Sequence, residues 1–183
     1  MGRGGAASAS RRRFRGLNRV CFHGAESTGK SVLAQKLAGE RGCPLVSEYG
    51  REYCEERGTD LTMADLLAIA AGQDAAMRAA CDGDPPLVLL DTDPLMTAAW
   101  AEMLFGEVPE VLLGYAKAER YLLFAPDVPW IADGTRFFGT AEARSRFAAV
   151  AEDMLVRANV PFIRIGGGWA QREAAVRKVL REL

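Results

Sequence analysis

The segment Gly24-Ala25-Glu26-Ser27-Thr28-Gly29-Lys30-Ser31 constrains the fold more than any other feature of this chain, because it fits G-x-x-x-x-G-K-[ST]. Glycines at 24 and 29 allow positive φ and let the backbone approach a ligand where a Cβ would obstruct. The resulting turn points successive N–H groups inward as a nest for phosphate oxygens. Lys30 brings a point charge to the β- and γ-phosphates of a nucleoside triphosphate, and the Ser31 hydroxyl is a ligand for Mg²⁺. Arg19-Val20-Cys21-Phe22-His23 reads as a buried strand leading into the loop. Ser31 to Ala38 follows with apolar residues at 33, 34, 37 and 38, which is helical spacing. Strand, loop and helix in that order aim the helix N-terminus at the phosphates. Gly24, Ala25, Glu26, Ser27, Thr28, Gly29, Lys30, Ser31 and Val32 are therefore the expected phosphate-binding set.

The remaining chain alternates strand-like and helix-like segments, the pattern of a parallel sheet with crossover helices. Short apolar runs at Pro44–Ser47, Leu87–Leu90, Tyr121–Phe124 and Pro161–Ile165 read as further strands. Helical patterns span 61–81 (capped by Thr59 or Asp60), 94–118 with a break near Gly106 to Pro109, 141–158 and 170–183. The expected fold is an α/β P-loop NTPase: a doubly wound, five-stranded parallel sheet with helices on both faces. At 183 residues this is one domain over 19–183, preceded by a basic, disordered tail over 1–18 that contains Arg11-Arg12-Arg13.

A net charge of −1 points to no polyanionic partner, so no specific nucleic-acid binding is expected. No apolar stretch approaches the length of a membrane span. Cys21, Cys43, Cys54 and Cys81 show no metal-ligand spacing and read as reduced thiols of a cytoplasmic protein. His23 is the sole histidine and reads as structural, which excludes Ser-His triads and His-rich metal sites. Asn18 and Asn159, the two asparagines, start no guanine-reading N-K-x-D motif, so a GTPase switch is excluded.

In such a sheet, ligands collect beyond the carboxyl ends of the strands. Asp91 follows four apolar residues and is the expected partner of Ser31 in holding Mg²⁺. Asp93 precedes Pro94, so it suits a helix cap and can also bind substrate. Glu48, with Arg51 one helical turn on, is placed to take an acceptor's hydroxyl proton or fix a sugar hydroxyl; the alternative is a silent surface pair. The segment after the fourth strand lies where small P-loop kinases carry a lid, with Arg136, Arg144 and Arg146 as candidate charge neutralisers.

Taken with the loop, Glu48-Tyr49-Gly50-Arg51-Glu52, Leu90-Asp91-Thr92-Asp93 and Trp130-Ile131-Ala132-Asp133-Gly134-Thr135-Arg136 stand in the order and separation of a known family. The chain resembles the ribosylnicotinamide kinase domain of the NAD-salvage regulator family from about Arg19 onward. The resemblance implies phosphoryl transfer from ATP to the 5′-hydroxyl of nicotinamide riboside, giving nicotinamide mononucleotide. Lys30, Glu48, Asp93 and Arg136 are then the expected catalytic residues. Glu48, Tyr49, Arg51 and Asp93 would contact the nucleoside, and Ser31 and Asp91 the Mg²⁺. The H-x-G-H motif of an adjoining adenylyltransferase is absent, so this chain is not expected to make NAD itself. Aromatics that family members carry beside the base correspond here to Ser47 and about Ala79. Either Tyr49, Tyr53 or Trp100 takes their place or the base differs. Two alternatives stand beside this reading: a kinase for another nucleoside, and a P-loop ATPase acting as a nucleotide-binding sensor.

Overall fold

The structure, a computed structural model, describes residues 18–129 and 139–183. Residues 1–17 of the expected tail, and the segment 130–136 with its candidate lid residue Arg136, lie outside the described residues, whereas Asn18, read as the last residue of the tail, opens the first strand.

The strand before the phosphate loop is β1 (Asn18–Gly24), and the helix after it is α1 (Lys30–Arg41). The chain continues through β2 (Leu45–Val46), α2 (Tyr49–Arg57), α3 (Met63–Ala80), β3 (Leu87–Leu90), α4 (Pro94–Phe105) and the short α5 (Glu110–Gly114). It closes with β4 (Arg120–Phe124), α6 (Ala141–Arg157), β5 (Phe162–Ile165) and α7 (Trp169–Arg181). The five strands are parallel in the order β2-β3-β1-β4-β5, so the doubly wound sheet expected from the sequence is present. The strand carrying the phosphate loop is central.

Continuous apolar runs suit these strands because both faces of the sheet are covered. Val20, Phe22, Leu89, Leu122 and Phe124 pack on one face with Leu33 and Leu37 of α1 and Val176 and Leu180 of α7. Their strand neighbours Cys21, Val88, Leu90, Tyr121 and Leu123 point the other way, into a core with residues of α3, α4 and α6 such as Leu66, Leu95 and Phe147. The period-two alternation of side chains thus divides one apolar string between two cores.

Helix ends follow local chemistry. Thr62, rather than Thr59 or Asp60, caps α3, with Asp65 completing a reciprocal capping box. Asp93 caps α4 immediately before Pro94, as its position before a proline implies. The segment read as helical over 94–118 breaks at Gly106, whose φ of +67 ends α4. Helix α2 had no periodic signature in the sequence because none of its residues is fully buried. Among the described residues, no helix is long and apolar enough to cross a membrane.

Candidate active site

The loop between β1 and α1 is built by its glycines. Gly24 has φ +126, and a β-carbon there would lie 2.6 Å from the carbonyl oxygen of Phe124 on the neighbouring strand. Only glycine fits so close to that backbone. Ser27 (φ +56) and Gly29 (φ +83) also adopt left-handed geometry, which curls the loop into a cup. Inside the cup, the carbonyl of Ala25 accepts from Thr28 Oγ1 at 2.9 Å and from Lys30 Nζ at 2.8 Å. Helix α1 has no side-chain cap and no acidic residue in its first turn. Its first N–H groups have no intrahelical partners, the condition that suits a bound anion.

Arg172 of α7 secures the loop from behind. Its guanidinium is 1% exposed and donates to the carbonyls of Thr28 (3.2 Å), Ala125 (2.9 Å) and Gly167 (2.7 Å), and it pairs with Asp127. Asp127 in turn accepts from the Gly167 amide at 2.7 Å. One side chain thus ties together the phosphate loop, the exit of β4 and the β5–α7 turn. Its neighbour one turn back, Trp169, lays its ring beside Gly29, 3.1 Å from where a β-carbon on that glycine would sit.

Asp91 leaves β3 at the same edge of the sheet. It is buried, accepts a hydrogen bond from Ser31, and has its Oδ1 without a partner among the described residues. Burial pushes its carboxyl up to about 6, against the pull of the Lys30 charge. Lys30 is lowered by burial, with Glu48 and Asp91 drawing it back up. Glu48 occupies the N-cap position of α2, half-buried, with Arg51 Nη2 at 3.9 Å. The turns carrying Glu48 and Asp91 are joined by Gln73 of α3, buried, whose Oε1 accepts from the Tyr49 amide (2.8 Å) and whose Nε2 donates to the carbonyls of Ser47 (3.2 Å) and Thr92 (3.3 Å).

Two adjoining cavities open at these strand ends. The polar one is lined by the loop, including Gly24 and Glu26 through Val32. The apolar one is lined by Cys54, Leu61, Leu66, Ile69 and Gln73 among others. Glu26, Glu48, Arg51, Thr92, Met96 and Trp100 line both and form the wall between them.

The structure therefore brings Lys30, Ser31, Glu48, Arg51 and Asp91 together. It does not bring Asp93 or Tyr49 to either cavity. Asp93 is fully buried: Oδ1 accepts from the Leu95 amide at 3.1 Å and Oδ2 from the Tyr121 hydroxyl, so both oxygens serve the fold. The ring of Tyr49 packs on Gly72 of α3, leaving its residue's amide, not its ring, near the site. Among the three aromatics expected to flank a base, Trp100 lines the cavities, whereas Tyr53 donates its hydroxyl to Asp65 at 2.6 Å. Ala79 is exposed near the end of α3. Arg144 donates to the Val128 carbonyl at 3.1 Å. His23 is buried against the Ala151 carbonyl at 2.9 Å, with its imidazole lowered to about 4 by burial. Its structural reading fits that placement. Gln73, Arg172 and Trp169 were not singled out in the sequence, because polar or aromatic residues inside helical patterns carry no local mark of what they will touch.

A family model described as an AAA domain matches residues 19–172. The chain belongs to the AAA domain family. This AAA domain is 31% identical over 153 residues to the trifunctional NAD biosynthesis/regulator protein NadR of Escherichia coli (strain K12), across 80% of this chain and 37% of that protein. The match to the NadR of Salmonella typhimurium LT2 has the same identity and coverage. The AAA domain thus spans 37% of the length of these relatives. A solved structure of NadR protein in complex with NR superimposes with a TM-score of 0.78 at 24% identity, over 92% of this chain and 52% of that one. Deoxyadenosine kinase from M. mycoides, with products bound, gives 0.63 at 11% identity, over 90% of this chain and all of the other. These structural matches show the fold, and the NadR matches bear out the resemblance read from the motifs.

Proposed function

We propose that this chain is an ATP-dependent nucleoside kinase that phosphorylates the 5′-hydroxyl of nicotinamide riboside to give nicotinamide mononucleotide. The observation that carries the reading is the shared wall: a phosphate cup with Lys30 and Ser31 meets an apolar cavity across Glu48 and Arg51. A donor's γ-phosphate and an acceptor's hydroxyl can meet there with a carboxylate beside them. The NadR relatives, and the structure of NadR with NR, support nicotinamide riboside as the acceptor. A structure of NadR with NAD and AMP-PNP supports an adenine nucleotide as the donor.

In this reading the loop amides and the Lys30 ammonium bind the β- and γ-phosphates and stabilise charge that grows during transfer. Glu48 orients the 5′-hydroxyl and accepts its proton as the oxygen forms its bond to the γ-phosphorus. The bond from that phosphorus to the β–γ bridging oxygen breaks, and ADP leaves with the electron pair. Ser31 and the unpartnered Oδ1 of Asp91 fit a divalent cation, and Mg²⁺ held there supplies neutralisation of the phosphate charge. Asp93 contributes by fixing the start of α4, and Arg51 by holding Glu48 in line. The apolar wall with Trp100 receives the base. Free thiols at Cys43, Cys54 and Cys81 fit a reducing, cytoplasmic setting.

The test is ADP release from MgATP with nicotinamide riboside, run beside a panel of other nucleosides with Lys30→Ala as a blank. Lys30-dependent turnover on nicotinamide riboside is the expected result. Turnover confined to another nucleoside overturns the acceptor but keeps the kinase. ATP binding with no turnover on any acceptor overturns the kinase in favour of a nucleotide sensor.

A further inference from the structure

We infer that Cys21, His23 and Asp93 form a structural metal site in the core behind the phosphate loop, separate from the Mg²⁺ position at Ser31 and Asp91, and that it takes a borderline-soft divalent ion such as Zn²⁺.

The strands bring the three together. Cys21 and His23 are alternate residues of β1, so their side chains leave the same face of the sheet. Asp93 arrives from the turn after β3, the strand that pairs with β1. One ligand atom from each (the Cys21 sulfur, an imidazole nitrogen and a carboxylate oxygen) lies within 4.8 Å of the others, and all three residues are fully buried. Tetrahedral zinc, with bonds of about 2.0–2.3 Å, sets its ligand atoms about 3.5 Å apart, so side-chain motion of about 1 Å closes the site.

The imidazole is what points to an ion. His23 Nε2 lies 2.9 Å from the Ala151 carbonyl, which can only accept, so Nε2 carries the hydrogen. Burial keeps the ring neutral by lowering it to about 4, which leaves Nδ1 with a bare lone pair. That nitrogen is buried and has no hydrogen-bond partner among the described residues. A ring oriented through one nitrogen by a backbone carbonyl, with the other nitrogen open, is the arrangement of a metal-ligating histidine. Asp93 is oriented in the same way by the Leu95 amide and the Tyr121 hydroxyl, and each of its oxygens keeps a second lone pair. The Tyr121 oxygen, itself held by the Ala118 amide at 3.1 Å, is a fourth donor beside the cluster.

Charge and softness select the ion. A thiolate, a carboxylate and a neutral imidazole together carry two negative charges, which a divalent cation cancels inside the core. The neutral complex adds no net charge near the Lys30 ammonium, whose field reaches both Cys21 and His23. Sulfur and nitrogen donors favour zinc over the hard cations Mg²⁺ and Ca²⁺. Burial holds the Cys21 thiol protonated in the metal-free chain, so the thiol proton is released to solvent as the zinc–sulfur bond forms. With every ligand buried, the ion is taken up as the chain folds.

The experiment refolds the untagged full chain from denaturant with Co²⁺ or Zn²⁺ and a phosphine reductant, then removes loose metal by gel filtration. Metal content and the thiolate-to-cobalt charge-transfer band are read for three chains. These are the parent, Cys21→Val, which keeps an apolar side chain in the strand, and a triple variant with Cys43→Ser, Cys54→Ser and Cys81→Ser. The parent and the triple variant should each retain about one ion per chain with the thiolate band, and Cys21→Val should lose both. A parent that retains no metal overturns the inference. So does a band that survives in Cys21→Val, or one that disappears in the triple variant, since either assigns the metal to the outer thiols. Should Cys21→Val fail to fold, the parent and the triple variant still decide the matter. None of these outcomes bears on the kinase assignment.

Discussion

Gln73 holds the backbone of Tyr49 across 24 positions of sequence: its Oε1 accepts the Tyr49 amide at 2.8 Å, while its Nε2 reaches the carbonyls of Ser47 and Thr92. Ser47 and Tyr49 are the neighbours of Glu48, and Thr92 stands between Asp91 and Asp93. A single buried amide therefore sets the separation of the two turns that carry the carboxylates.

Gln73→Leu should lower turnover by misplacing Glu48, and should cost on the order of 2 kcal/mol of stability by leaving buried backbone groups unpaired. A double-mutant cycle on ADP release checks the route. In a Glu48→Gln background the Gln73 substitution should add little further loss, and fully additive losses would show that Gln73 does not act through Glu48.

Asp91 and Asp93 are both raised to about 6, chiefly by burial. A carboxyl whose folded value lies above its unfolded one binds its proton more tightly when folded. Folding stability should therefore fall as pH rises from about 4 to about 6, by on the order of 3 kcal/mol for each residue. Asp93→Asn should remove its share of that slope while keeping an acceptor for the Leu95 amide. Mg²⁺ should remove the share of Asp91, since a cation beside it lowers its pKa. Thermal melts between pH 4 and 7, with and without MgATP, read both effects; a slope unchanged by either would refute the assignment.

Gly24→Ala should be severely destabilising and should abolish nucleotide binding, because its β-carbon would meet the Phe124 carbonyl at 2.6 Å with φ at +126. Gly39→Ala is the contrasting case. It lies inside α1 with nothing within 4 Å of the new methyl, and it should stabilise by about 0.5–1 kcal/mol. Melting temperatures that shift in the same direction for the two would contradict the geometry.

Arg172→Lys should not preserve the site. An ammonium cannot span the Thr28, Ala125 and Gly167 carbonyls that the guanidinium fork reaches together. A loss of roughly 3 kcal/mol should lower the melting temperature by roughly 6–12 °C. Weaker MgATP binding should accompany it, read by calorimetry below the melt.

The sheet was legible in the sequence because its strands are short apolar runs between helical patterns, and the loop because its glycines are spaced by steric need. Helix α2 was not, since it buries no residue fully and so shows no stripe. Glu48 and Asp91 could be found from the ends of their strands. Asp93 looked equally suited to substrate, but its fate depended on Tyr121, a partner 28 residues away whose hydroxyl takes the second oxygen. Gln73 and Arg172 were invisible for the same reason: their meaning lies in carbonyls brought near only by the completed fold.

The contact between Arg172 and Thr28 spans 144 positions. During synthesis the phosphate loop emerges before α7, and it lacks this brace until that helix has docked. Capture of a nucleotide by the braced loop should therefore depend on the docking of α7, and a ligand that binds only the braced loop should favour the docked state.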